Sequence, residues 1–201
     1  MLGAAWCDFG VGTNDPEGRL TRDGVLRERK APPIGHIGPS KGKLVMPIKG
    51  LKDNAVKSAV QELNARLADM IALRLALKQA HWNLKGPSYI GIHALLDQVT
   101  ARVAANEDEM AERVQALGGV AKGTLEVVAK EAKVEAYPTD LVKDLDHVKA
   151  LSARISEAGG RMRAAIAVAQ EAGDEGTADI FVGASRQLDK DLWFLESHLG
   201  K

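Results

Sequence analysis

The chemistry in this 201-residue sequence concentrates in four side chains of one segment. His93 and Asp97 are four residues apart, and so are Asp108 and Glu112. On a helix that spacing puts the members of each pair on one face, a turn apart. Imidazole nitrogen combined with carboxylate oxygen suits a first-row metal such as iron, whereas calcium takes oxygen alone. Two acids at i,i+4 also repel one another, a cost that a bound cation relieves. From Asp97 to Asp108 the helix makes three turns plus ~20°, so all four side chains share nearly one face. Along the axis, however, they stand ~16 Å apart at ~1.5 Å per residue. Ligand bonds near ~2 Å cannot reach both pairs from one ion.

A second copy of the helix removes the difficulty. When two copies pack antiparallel about a two-fold axis, His93 meets Glu112 and Asp97 meets Asp108, because both pairs are centred between residues 102 and 103. Arg102, Val103, Ala104 and Ala105 would lie at that axis, with small side chains among them that permit close approach. Each dimer would hold two mixed sites, and isologous two-fold pairing is the commonest association of soluble chains. His81 can add a ligand if a helical hairpin brings it against this helix; taken alone, beside Trp82, it reads as a packing histidine. Cys7 is the only cysteine, so a disulfide framework and a cysteine-cluster zinc site are excluded. Any metal site must use nitrogen and oxygen.

The elements that would position these residues are helices. Val56, Val60, Leu63, Leu67, Met70 and Ile71 draw an apolar stripe from about residue 53 to Ala80, interrupted by Gly86 and Pro87. Ile92, Leu96, Val99, Val103, Met110, Val114 and Leu117 form the second, ended by Gly118 and Gly119. Leu141, Leu145, Val148, Ile155, Met162 and Ile166 form the third, after Pro138 and a possible N-cap at Thr139. The fourth runs from Thr177 through Ile180, Ala184, Leu188 and Leu192 to Leu199. No segment alternates with period two, so the chain is all-α. Short turns make antiparallel hairpins of helices one and two and of helices three and four. The stretch from Gly118 to Thr139, with a short helix near Leu125–Lys130, is long enough to cross the bundle. One long crossover between two helical hairpins is the ferritin-like arrangement.

Composition divides the chain at about residue 52. Nine of 20 glycines and five of seven prolines fall within residues 1–50. Residues 1–52 therefore read as a flexible N-terminal extension and residues 53–201 as a four-helix bundle. The formal net charge of zero conceals opposite signs: −2 over residues 1–26, +6 over 27–52 and −4 over the remainder. Arg27, Arg29, Lys30, Lys41, Lys43, Lys49 and Lys52 make a basic arm suited to the phosphates of a polyanion. The alternative is a solvated leader. With no apolar run of membrane-spanning length and no secretory signal pattern, a cytoplasmic protein is the expectation.

The run KQAHWNLKGPSYIGIHALLD (Lys78–Asp97), the D-x-x-x-E at Asp108–Glu112 with ALGG after it, and TADIFVGASRQLDKDLWFLES (Thr177–Ser197) resemble the Dps family, the DNA-protecting ferritin-like proteins of starved bacterial cells. The resemblance covers about residues 53–201. It implies a homododecameric hollow shell whose ferroxidase centres oxidise Fe(II), preferentially with hydrogen peroxide, and store Fe(III) inside. It further implies His81, His93 and Asp97 as ligands from one subunit, with Asp108 and Glu112 from its two-fold partner. Asp174, Glu175 and Asp179, clustered with Glu171, would line an iron-entry pore at a three-fold axis, or else form a solvated loop. Trp82 would serve as a sacrificial electron donor or pack at the dimer interface. Non-specific DNA contact through the basic arm would associate the shell with the nucleoid. A competing reading is a non-enzymatic, nucleoid-compacting DNA-binding protein whose metal site is vestigial. His36, His147 and His198 read as surface or packing residues.

Overall fold

A computed structural model describes residues 48–200. The greater part of the proposed arm, Arg27 to Lys43, lies outside the described residues, while Lys49 and Lys52 are exposed just before the first helix. That helix, α1 (Asp53–Asn83), contains neither glycine nor proline and is rich in alanine and leucine, so nothing interrupts 31 residues. It buries Leu63, Leu67, Met70, Leu73, Leu77 and Ala80 on one face. Its last turn extends beyond Ala80 and so includes His81. The second helix, α2 (Tyr89–Ala116), buries Ile92, Leu96, Val99, Val103, Met110 and Val114. Gly118 then adopts φ +78°, and the Gly119 amide donates to the Val114 carbonyl at 2.9 Å, which closes the helix end.

The chain continues through a short helix, α3 (Leu125–Glu131), to α4 (Asp144–Glu171) and α5 (Glu175–Glu196), followed by a 3-10 turn at Ser197–Leu199. Helices α1 and α2 pack together, as do α4 and α5; α1 also borders α4, and α2 borders α5. The core between them holds Leu73, Leu77, Leu96, Leu151, Ile155, Met162 and Phe181, with alanines such as Ala80, Ala158 and Ala184 allowing close approach. The architecture is the all-α ferritin-like bundle, with its short helix in the crossover.

One boundary differs from the sequence expectation. Thr139 does not cap the helix after the crossover; α4 begins at Asp144, with Lys143 preceding it. The intervening backbone is committed elsewhere: the Lys85 amide donates to the Val142 carbonyl at 2.8 Å, and the Asp144 amide to the Lys85 carbonyl at 2.9 Å. These bonds hold Pro138–Lys143 out of the helix and leave Leu145 exposed rather than in the stripe. They also place the start of α4 beside the α1–α2 turn, so the crossover returns the chain to that end and α2 runs parallel to α4. His147 is a packing residue: it is buried, and its Nδ1 lies 2.7 Å from the Tyr137 hydroxyl. Arg154 fixes the same stretch by donating to the carbonyls of Glu135 and Ala136.

Candidate metal centre

The α1–α2 hairpin turns through Leu84–Ser88, and that short connection sets the last turn of α1 against the second turn of α2. His81 and His93 consequently stack, with ring centroids 3.7 Å apart and an interplanar angle of 23°. Their hydrogen bonds are reciprocal. The Nδ1 of His81 lies 3.1 Å from the carbonyl oxygen of His93, and the Nδ1 of His93 lies 3.0 Å from that of His81. A carbonyl only accepts, so each Nδ1 carries a proton and Nε2 is the nitrogen left to offer a lone pair. Metal-binding histidines are ordinarily held this way, with the second ring nitrogen donating to a fixed oxygen.

Asp97, one turn beyond His93, completes a group of three whose potential ligand atoms lie within 4.8 Å of one another, the one such group among the described residues. His81 is buried, His93 half-buried and Asp97 exposed, so the group opens outward. The ammonium of Lys78 is 3.0 Å from Asp97 Oδ1, and its hydrogen bond to that carboxylate, aided by the nearby imidazoles, holds the Asp97 carboxyl below the usual carboxylate range. Sequence reading did not single out Lys78, although it sits in the same run one turn before His81. It also missed Tyr89, whose ring centroid lies 5.1 Å from that of His93.

Asp108 and Glu112 do not join this group. Because α2 is unbroken, they stand on the same helix ~16 Å further along, and both are exposed. Neither forms an ion pair or hydrogen bond among the described residues. The outward stripe that links the two pairs is Ala94, Asp97, Ala101, Ala105, Asp108 and Glu112, all exposed. Two residues expected at the axis belong elsewhere: Val103 is fully buried in the core, and Arg102 turns to Asp191 of α5, with Nη2 2.6 Å from Oδ1. Their positions on the helix, ~100° per residue, aim them inward, and Ala101 and Ala105 are the small residues of the outer face.

The acids expected at a pore divide. Asp174 is buried and engaged: it caps α5, accepting from the Thr177 amide at 3.0 Å and its hydroxyl at 2.6 Å, and it pairs with Arg113 at 2.7 Å. Glu171, Glu175 and Asp179 are exposed. Trp82 is 67% exposed, with the Lys78 ammonium 5.7 Å from its ring, so within one chain it is not a core residue.

Comparison with known proteins places the chain in a family. The ferritin-like domain family matches residues 60–201. A DNA protection during starvation protein of Agrobacterium fabrum is 50% identical over 149 residues, covering 74% of this chain and 92% of that one. Another of the same name, from Mycolicibacterium smegmatis, is 30% identical over 152 residues, covering 76% and 82%. Among solved structures, DpsA14 from Streptomyces coelicolor superposes with a TM-score of 0.73 at 33% identity, covering 78% of this chain and 94% of that chain. On sequence and fold together, the chain belongs to the Dps family of ferritin-like proteins.

Proposed function

We propose that the protein is a ferroxidase and iron store that protects DNA from oxidative damage. The observation that carries this reading is the reciprocal hydrogen bonding of His81 and His93, which fixes two imidazoles in the tautomer a metal requires, with Asp97 within ligand reach. His81, His93 and Asp97 of one copy bind Fe(II) together with Asp108 and Glu112 of a second copy, across a two-fold interface built on the outer face of α2. Hard carboxylate oxygens stabilise the Fe(III) product more than the Fe(II) substrate and so favour loss of an electron. Two ferrous ions supply the two electrons that cleave the O–O bond of one hydrogen peroxide. Oxygen leaves as water or hydroxide rather than as hydroxyl radical, and the ferric product hydrolyses to mineral with release of protons.

Twelve copies form the hollow shell that holds the mineral. Exposed Glu175 and Asp179, rather than the engaged carboxylate of Asp174, supply the field that draws Fe(II) toward a pore. The basic arm from Arg27 to Lys52 contacts phosphates without reading bases, and its multiplicity on one shell strengthens weak contacts, in the cytoplasm and on the nucleoid.

Anaerobic addition of Fe(II) followed by hydrogen peroxide tests the enzymatic reading: oxidation well above the protein-free control at a ratio of two Fe(II) per peroxide is expected. Oxidation no faster than the control leaves the non-enzymatic, DNA-compacting reading. A low-salt gel shift of the full chain against one lacking residues 1–52 tests the arm, and equal retardation removes its role.

A further inference from the structure

Asp144 is only 4% exposed yet belongs to no hydrophobic stripe and, among the described residues, to no ion pair. Its carboxylate instead reaches across from the start of α4 to the α1–α2 turn. Oδ2 accepts from the Ser88 amide at 2.8 Å, and Oδ1 from the Leu145 amide at 2.9 Å. Ser88 immediately precedes α2, and its own side chain makes no capping bond, so the Asp144 carboxylate serves the Ser88 amide at the start of α2 from another part of the chain. The turn is shaped to admit it. Gly86 has φ +156°, and a Cβ there would collide with the Asp144 carboxyl group. The backbone bonds between Lys85 and Val142–Asp144 close the same clamp from the other side.

We infer that Asp144, seated against Gly86, is a positioning residue for the metal centre: it sets the register of the α1–α2 turn and thereby the reciprocal hydrogen bonds of His81 and His93. This rests on the proposed function of that pair. His81 lies in the last turn of α1 and His93 in the second turn of α2, so the turn is the covalent link between them. Two Nδ1-to-carbonyl bonds at 3.0–3.1 Å hold only if the two helices keep one register. A slip of a fraction of an ångström in the turn breaks both together and unfixes both rings. The crossover thus acts on the centre although it contributes no ligand to it.

The test uses assembled full-length protein and anaerobic Co(II) as a spectroscopic probe of the site, alongside the Fe(II) concentration giving half-maximal oxidation. Asp144→Ala is expected to raise the Co(II) dissociation constant and the half-saturating Fe(II) by about tenfold and to alter the visible Co(II) bands, since small misplacements of ligands are costly. Asp144→Asn, whose amide oxygen still accepts from Ser88, restores both. Gly86→Ala, which forces the carboxylate aside without removing it, shifts both in the same direction and decides the matter if Asp144→Ala does not assemble. Unchanged affinity and bands in an assembled Asp144→Ala or Gly86→Ala, even with a lower melting temperature, overturn the inference and leave a purely structural role. His93→Ala separates this from failure of the underlying reading: wild type that binds no Co(II), or binds it as His93→Ala does, overturns both.

Discussion

Three acids of α2 and two at α5 are of the same type and on helices that pack together, yet they meet opposite fates. Asp174 and Asp191 are buried, and each is held by an arginine that α2 sends across, Arg113 and Arg102 respectively. Asp97, Asp108 and Glu112 point the other way, to the outside of the bundle, and α2 supplies them no arginine. A helix that spends its arginines on its neighbour's acids has the means to neutralise its own. The outward stripe of three acids and a half-buried histidine, spaced by alanines, is what the proposed shared metal centre uses. On that proposal, stability is concentrated on the inner face of α2 and chemistry on the outer one.

This division is breakable by mutation. The largest expected effect on stability comes from Asp191→Ala, which strips the acceptor from Arg102 and Gln187 inside the bundle. Arg102 retains some access to water, which places the cost near about 3 kcal/mol, read by denaturant unfolding. Comparable in free energy but opposite in kind, Asp108→Ala with Glu112→Ala should lower the rate of Fe(II) oxidation about a hundredfold. The same double variant should change unfolding free energy by no more than about 0.5 kcal/mol, since it removes two exposed and mutually repelling charges.

Next comes the capping acid. Asp174→Ala should cost about 1–2 kcal/mol, through loss of the Thr177 bonds that start α5 and of the Arg113 pair. The two buried acids also differ in their response to pH. Burial pushes the Asp174 carboxyl up, but the Thr177 hydrogen bonds and Arg113 outweigh it and hold the group below its ordinary range. Its contribution to stability is therefore present above the unfolded pKa, near ~3.9, and is lost as pH falls below that. For Asp191 burial prevails over Arg102, and the carboxyl lies above its ordinary range, so its contribution is greatest in acid and declines as pH rises through the shifted value. Stability of Asp174→Asn and Asp191→Asn measured against wild type across pH 3–7 should give differences of opposite slope.

The smallest effect sharpens the site itself. Lys78 supplies the positive charge on Asp97 that a metal would displace. Lys78→Met should tighten Co(II) binding by about two- to fivefold under anaerobic titration, since an exposed, screened ion pair contributes little.

Much of this was legible in the sequence because it depends on helical period alone. The stripes of Leu63, Leu67 and Met70 and of Ile92, Leu96 and Val99 mark buried faces, and the four-residue spacing of His93 and Asp97 fixes their common face. The 31-residue run without glycine or proline made α1 plain, and the length of the crossover made the topology plain. What the period does not carry is which partner a polar side chain finds across the bundle. Asp174 looks in sequence like any loop acid beside Glu175, and only the fold brings Arg113 to it from α2. Val103 and Arg102 lie at the arithmetic centre of the acid pairs, but their angular positions face the core and α5. Thr139 had the right chemistry to begin a helix, and long-range pairing of Lys85 with Val142–Asp144 overrode it. Asp144 had no sequence signature, since its partners, Ser88 and Gly86, are more than 50 residues away.

The central claim is that one metal centre is built from two copies, with His81, His93 and Asp97 on one side and Asp108 and Glu112 on the other. Co-assembly of two inactive variants tests it most directly. A His93→Ala chain retains Asp108 and Glu112, and a chain with Asp108→Ala and Glu112→Ala retains the histidines, so each mixed dimer regains one intact site of its two. With random pairing half the dimers are mixed, and the co-assembled shell should recover about a quarter of wild-type Fe(II) oxidation, although neither variant oxidises appreciably alone. Recovery to that level is the result expected. A co-assembled shell no more active than its parents would contradict a shared site and place the oxidation of iron elsewhere in the chain.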